Sequence, residues 1–239
     1  MRSCICVLYI ALLAHFAAPA LAADADPDAL YRARADISRA KEAFTILDAR
    51  LLANPRNFDA AWKLARIAYW IGGHDQPDAR RTALERGVEA GRIASMIEPQ
   101  RPDGYFWMAA DMGELAESFG MRQGLKYRNP IKDALETVLR LDPSFLQGSA
   151  DRALGRWYFK VPGLFGGSKK QSEEHLRKSL TYNPNSTASH FFLAETLFEM
   201  NRDADARGEL KKVLDAPLDP DWEPEDREFK QKAAERLRK

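Results

Sequence analysis

Cysteine is almost missing from this chain. The only two, Cys4 and Cys6, lie in an apolar stretch at the N-terminus. The rest of the chain can form no disulfide, no thiolate nucleophile and no cysteine-based metal site. Histidine is also scarce. Beyond the N-terminal stretch there are only His74, His175 and His190, with no His-Glu-x-x-His or other metal-ligand spacing. Glu174-His175 opens a surface-like helix and reads as an exposed capping pair, while His190, beside Phe191, reads as a satisfied core or groove histidine. Ser149, Ser168 and Ser172 lack the strand-turn-helix setting of a nucleophile elbow. The glycines from Gly163 to Gly167 lack phosphate-loop spacing, because Ser168 precedes Lys169-Lys170. The expectation is a non-enzyme without cofactor or metal.

A charge excess of one sign is missing too. The chain has 36 Lys and Arg against 35 Asp and Glu. A balance so close to zero leaves no electrostatic footprint for nucleic acid. Long apolar runs are confined to Cys4–Ala14 (CICVLYIALLA), which is short for a membrane span but has the length of a leader core. Arg2 precedes it and Ala20-Leu21-Ala22 closes it as an A-x-A cleavage box. Residues 1–22 therefore read as a secretory signal peptide, with a retained transmembrane anchor as the alternative. A lipoprotein leader would place a cysteine after the box, where Ala23 stands. The expected mature chain, 23–239, is periplasmic or secreted, carries no membrane anchor, and is held by its core alone.

A repeat runs through this mature region. Pro55, Pro99, Pro143 and Pro184 each follow a polar or acidic residue, at steps of 44, 44 and 41. Between them apolar residues recur at three and four, the helical period. Proline suits a first helical turn and stops the preceding helix, so each marks a junction between repeats. About ten residues later comes an apolar-small pair: Leu64-Ala65, Met108-Ala109, Leu154-Gly155 and Leu193-Ala194. The small residue lets the second helix of a pair pack closely, the tetratricopeptide arrangement, whose usual period is about 34. The excess is expected partly in longer loops, such as Gly72–Pro77 and Val161–Gly167. The pattern predicts an all-α solenoid of about ten helices in antiparallel pairs: 27–53 (with a break near Ile37-Ser38), 57–71, 77–97, 101–119, 128–141, 145–160, 168–182, 186–201, 203–215 and 223–237. Asp203 and Asp226 are placed to cap helix starts. The charged last helix reads as a polar end-cap. One domain over 23–239 is expected.

Two features suggest binding. First, Val161, Leu164 and Phe165 stand in a loop with Pro162, Gly163, Gly166 and Gly167. Loops are normally polar, so this one needs cover from the protein, a partner or a ligand. Second, aromatic residues gather on the first helices: Trp62, Tyr69 and Trp70; Tyr105, Phe106 and Trp107; Trp157, Tyr158 and Phe159; Phe191, Phe192 and Phe198. Most read as inter-repeat core. Three adjacent aromatics nevertheless span about 200° of a helix, so one of Tyr105–Trp107 and one of Trp157–Phe159 must face the concave side or another helix. Trp107, Trp157 and Phe191 are candidate lining residues. Arg152, Arg156 or Lys160 could pair with a ligand carboxylate at the groove mouth. Alternatively, Arg152 forms a buried ion pair with Asp151, Glu173 or Glu174.

The segment Gly120-Met-Arg-Gln-Gly124, then Leu141-Asp-Pro143, Gly148 and Asp151-Arg-Ala-Leu-Gly155, followed by Pro162-Gly163 and Gly166-Gly-Ser168, resembles the T component of TRAP transporters, the TatT family. The resemblance covers roughly 50–216. The middle repeats also look like the regulator of microtubule dynamics family, which is read as shared architecture. The resemblance implies an all-helical periplasmic protein with an apolar pore or groove, a TRAP-type solute-binding protein as partner, and a hydrophobic, possibly carboxylated, small ligand. The alternative is a general periplasmic tetratricopeptide adaptor without small ligand. In the ligand-binding reading the Val161–Gly167 loop closes one side of the groove. Exposed aromatic faces make a homo-oligomer a further expected partnership.

Overall fold

A computed structural model describes residues 25–238. The expected leader, 1–22, lies outside the described residues. Eleven α-helices follow one another: α1 (Pro27–Arg32), α2 (Ile37–Ala53), α3 (Phe58–His74), α4 (Pro77–Ile97), α5 (Pro102–Ser118), α6 (Met121–Leu141), α7 (Phe145–Lys160), α8 (Lys169–Tyr182), α9 (Thr187–Glu199), α10 (Asp203–Asp215) and α11 (Glu223–Leu237), with a 3-10 turn at Gly163–Phe165. Among the described residues there is no strand. Each helix packs on its sequence neighbour, and α3, α5, α7 and α9 also contact one another in series. They form the inner row of a tetratricopeptide-like solenoid.

The four repeat-marking prolines fall in the turns before α3, α5, α7 and α9, as the spacing predicts. Local chemistry sets the helix starts. Asp36 caps α2, Asn57 caps α3, Ser168 caps α8 and Ser186 caps α9, each accepting from a backbone N–H of its first turn. Leu64, Ala65, Leu154, Leu193 and Ala194 are buried at the pair interfaces. A side chain on Gly155 would run into Leu176 of α8, so the small residue does let the second helix close in.

Several expectations are corrected. The first helix does break, as expected, but at 33–36, a few residues before Ile37-Ser38, and is restarted by the Asp36 cap. Gly72-Gly73-His74 is the last turn of α3, leaving only Asp75-Gln76 as a loop. Helix α6 begins at Met121, not near 128, and carries Pro130 inside it. That ring faces solvent, where the carbonyl it leaves unpaired can meet water. The extra length is helical in two repeats, where α4 and α6 have 21 residues each, while between α7 and α8 it lies in the 161–168 loop, as expected. Asp203 makes no capping bond. Asp226 does not cap α11 but accepts from Thr187 Oγ1 (2.5 Å) and the Asp219 N–H (2.8 Å).

Candidate functional site

The concave face carries the site, and the C-terminal segment forms one of its walls. After α10 the chain turns back through Pro217–Trp222, and α11 packs on α9 and α10. Arg34, 2% exposed, follows α1 and reaches across to this segment. Its Nε and Nη2 donate to the Glu225 carboxylate at 3.0 and 2.5 Å, and Nη2 also donates to the Asp221 carbonyl at 2.8 Å. The guanidinium lies over the Tyr31 and Trp70 rings. Burial pushes the Tyr31 phenol up to about 12. Further along, His74 Nε2 meets Glu228 Oε1 at 2.6 Å. Burial opposes the charged imidazole, but Glu228 and the Trp70 carbonyl outweigh it and raise the His74 pKa. The end helix thus does more than cap the stack. It is clamped to the N-terminal helices across the concave face.

Two cavities lie along this wall. One, about 470 Å³, is bounded by α7, the α8–α9 turn and the returning segment, with Arg152, Tyr182, Trp222, Glu225 and Phe229 in its lining. The other, about 350 Å³, adjoins α1 and is lined by Tyr31, Arg34, Trp62, Arg66, Trp107 and Trp222, among others. Leu146 and Trp222 belong to both. Leu146, Gln147 and Gly148 all have positive φ (44°, 59° and 76°), a left-handed turn that costs roughly 1–2 kcal/mol per non-glycine residue. That turn aims Leu146 into both cavities, and Gln147 bonds Asn183 and Asp219.

Arg152 has no ion pair within 4.0 Å among the described residues, and burial lowers its pKa. Asp226 and Glu225 lie near enough to act on it through their charge only. Tyr69 stands on the same inner row. Burial pushes its phenol up, yet 39% of its surface is open. Its ring lies 6.1 Å from that of Trp107. The next cation along α7 is paired: Arg156 bridges Glu117 of α5 (3.0 Å) and Glu195 of α9 (2.6 Å), and Lys160 joins at Glu117 (3.0 Å). Burial alone would raise the Glu117 carboxyl, but Arg156 and Lys160 hold it below its usual value.

Of the residues picked from sequence, Arg152 and Trp107 line the cavities. Arg152 does not form the ion pair considered for it. Asp151 instead takes His175 Nδ1 at 2.7 Å and Lys178 at 3.1 Å, and Glu173 takes Arg177 and Arg202. Trp157 packs outward on α6, donating to the Arg128 carbonyl at 2.9 Å. Phe191 sits behind Phe229. Lys160, Val161, Leu164 and Phe165 line neither cavity. The loop does not close the groove, because it joins the two helices of a pair and so lies at an edge of the solenoid. Glu174-His175 is not simply an exposed cap, since His175 is tied to buried Asp151 and stacks on Tyr158. His190 is a satisfied buried histidine, bonded to Glu209 (2.5 Å) and the Pro184 carbonyl (2.8 Å). Leu146, Trp222, Phe229 and Arg34 line these cavities without a sequence pattern that marks them as a site. Only the Trp in the acidic run 219–226 was a visible signal. Among the described residues no group of three or more His, Cys, Asp or Glu could hold a metal ion, and no helix is long and apolar enough to cross a membrane.

Comparison with known proteins gives two family matches. Residues 27–170 match the family described as regulator of microtubule dynamics protein 1-3, and residues 103–239 match the TRAP transporter T-component. No curated protein matches the chain. Among solved structures, a thermophilic TPR protein of Thermus thermophilus, TTC0263, superposes with a TM-score of 0.66 at 20% identity, covering 88% of this chain and 97% of that one. MamA superposes with a TM-score of 0.52 at 14% identity, covering 85% and 95%. At such identities the likeness establishes the tetratricopeptide-like fold alone.

Proposed function

Because the chain belongs to the helical-repeat families of the TRAP transporter T-component and of regulator of microtubule dynamics protein 1-3, we propose that it is a non-enzymatic, exported adaptor whose concave face receives a segment of a partner protein. The observation that carries this is the wall of the site itself. An acidic, tryptophan-bearing stretch, Asp219–Asp226, already lies there, with Arg34 gripping it. The concave face is thus built to hold an acidic, aromatic peptide, here its own. Unpaired Arg152, beside the same stretch, supplies a cation for one more carboxylate. Export rests on the leader pattern at 1–22.

A second reading is favoured by the T-component match and by Arg152 in a cavity of about 470 Å³. In it, the partner is a TRAP-type periplasmic solute receptor and the cavity takes a carboxylated hydrophobic small molecule. Affinity purification of tagged parent and Arg152→Glu chains from envelope extract separates the two. Enrichment of a solute receptor with the parent, lost with the variant, supports the second. Loss of a different partner supports the first. A partner set indifferent to Arg152→Glu would overturn the concave site in both.

A further inference from the structure

A different surface lies at one edge of the solenoid, away from the concave face. Antiparallel helices alternate in direction, so the turns within helix pairs (75–76, 119–120 and 161–168) come to the same edge. Two of these turns present the most exposed large apolar side chains described, Leu164 (89%) and Met121 (83%). Leu125 continues the patch one turn along α6. Phe165 is joined to it by the Arg128 guanidinium, 5.3 Å over its ring.

The loop that carries Leu164 and Phe165 is locked. Phe165 N–H donates to the Pro162 carbonyl (2.8 Å), Gly167 N–H to the same oxygen (3.2 Å), and Ser168 N–H to the Tyr158 carbonyl (2.9 Å). Gly167 packs so tightly on the Val161 carbonyl that no side chain fits there. The apolar tips are therefore held outward by the backbone, not left there by a floppy loop.

At the start of α6 and in the 161–168 turn the charge has one sign, although Asp75 stands in the 75–76 turn and the whole chain is balanced. No Asp or Glu occurs between Glu117 and Asp133, and none between Asp151 and Glu173. The bond from Trp157 to the Arg128 carbonyl lays these two acid-free stretches side by side. Arg122, Lys126, Arg128 and Lys169 lie within them and make no ion pair within 4.0 Å among the described residues.

We propose that this edge docks on an anionic lipid surface. Met121, Leu164 and Phe165 enter the boundary between headgroups and acyl chains, and the unpaired cations meet lipid phosphates, the pattern of interfacial anchors. The tips are convex, and neither described cavity reaches them. A fluid bilayer accepts such tips without shape, whereas a protein partner must supply a pocket for each.

Vesicle flotation tests this on the processed chain, its N-terminus read by mass spectrometry because an uncleaved apolar leader would itself bind lipid. Phosphatidylglycerol–phosphatidylethanolamine vesicles should float at least about tenfold more protein than pure phosphatidylcholine, with the gain lost in high salt. Met121→Ser with Leu164→Ser, and separately Arg122→Glu with Lys126→Glu, should each lower binding about tenfold at unchanged circular dichroism. Leu52→Ser, removing a 70%-exposed leucine at the opposite edge, should leave it at the parental level. Equal flotation with both vesicle types, or undiminished binding by the double variants, would overturn the proposal. So would binding of an acidic protein through these same residues in the absence of any vesicle binding.

Discussion

Asp111 shows most plainly how a single residue shapes the behaviour of this chain. It sits on α5, fully buried, with both carboxyl oxygens lacking a hydrogen-bond partner and one of them lying against Gly87 of α4. Burial, helped by the charge of Glu114, pushes its pKa well above the usual carboxylate value. The unfolded chain ionises near the ordinary value while the folded chain stays protonated, so this residue favours folding at low pH. The benefit is lost as pH rises towards the folded pKa. Asp111→Asn, which keeps the shape of the neutral acid, should raise the melting temperature at pH 7.5 and change it little at pH 4. Calorimetry at both values checks this; an equal shift at the two would refute the assignment. Glu117 runs the other way. Held low by Arg156 and Lys160, it adds stability above its unfolded pKa that is lost as pH falls through the folded one.

At the scale of elements, the 161–168 turn was legible as unusual but not as a position. Its apolar residues and glycines are plain in the sequence. What could not be read was that the turn folds on itself, tied back to Tyr158, and faces outward. Gly167 holds the key, since a β-carbon there would strike the Val161 carbonyl. Gly167→Ala should cost about 1–3 kcal/mol, seen as a lowered urea midpoint, whereas Gly163→Ala, which would meet nothing within 4 Å, should stay near the parent. The start of helix α6 is hard to read from sequence for a related reason. Gly120, Gly124 and Pro130 argue locally for loop, but packing of Tyr127, Ile131, Leu135 and Val138 against the core outweighs them.

The whole molecule is closed by contacts that join its two ends. Arg34 and Glu225, with His74 and Glu228, tie the first helices to the last. Removing one partner of a buried pair strands the other, so Arg34→Ala should cost about 3 kcal/mol or more and speed hydrogen exchange throughout α11. Exchange in α10, held by its own core cluster around Leu197, Leu210 and Val213, should change less. The His74 tie is pH-dependent in a defined sense. Its raised pKa makes its contribution complete below the unfolded histidine value, and the contribution fades as pH rises through the folded pKa. Exchange in α11, corrected for the intrinsic pH dependence of amide exchange, should therefore quicken from pH 6 to pH 9 in the parent and lose that dependence in His74→Gln.

The sequence by itself determined the helices, their pairing and the repeat, because helical periodicity and turn prolines are local signals repeated along the chain. It also determined that the only cysteines, Cys4 and Cys6, stand in the N-terminal apolar stretch, and that the three later histidines lack metal-ligand spacing. Tertiary structure alone decided that the C-terminal segment returns to wall the concave face, that Arg152 is left unpaired there, and that Trp157 and Phe191 pack away from it. Those outcomes depend on superhelical curvature, which brings residues such as Arg34 and Glu225 together across most of the chain. Small rotations at each helix interface add up to that curvature, and no local pattern encodes their sum.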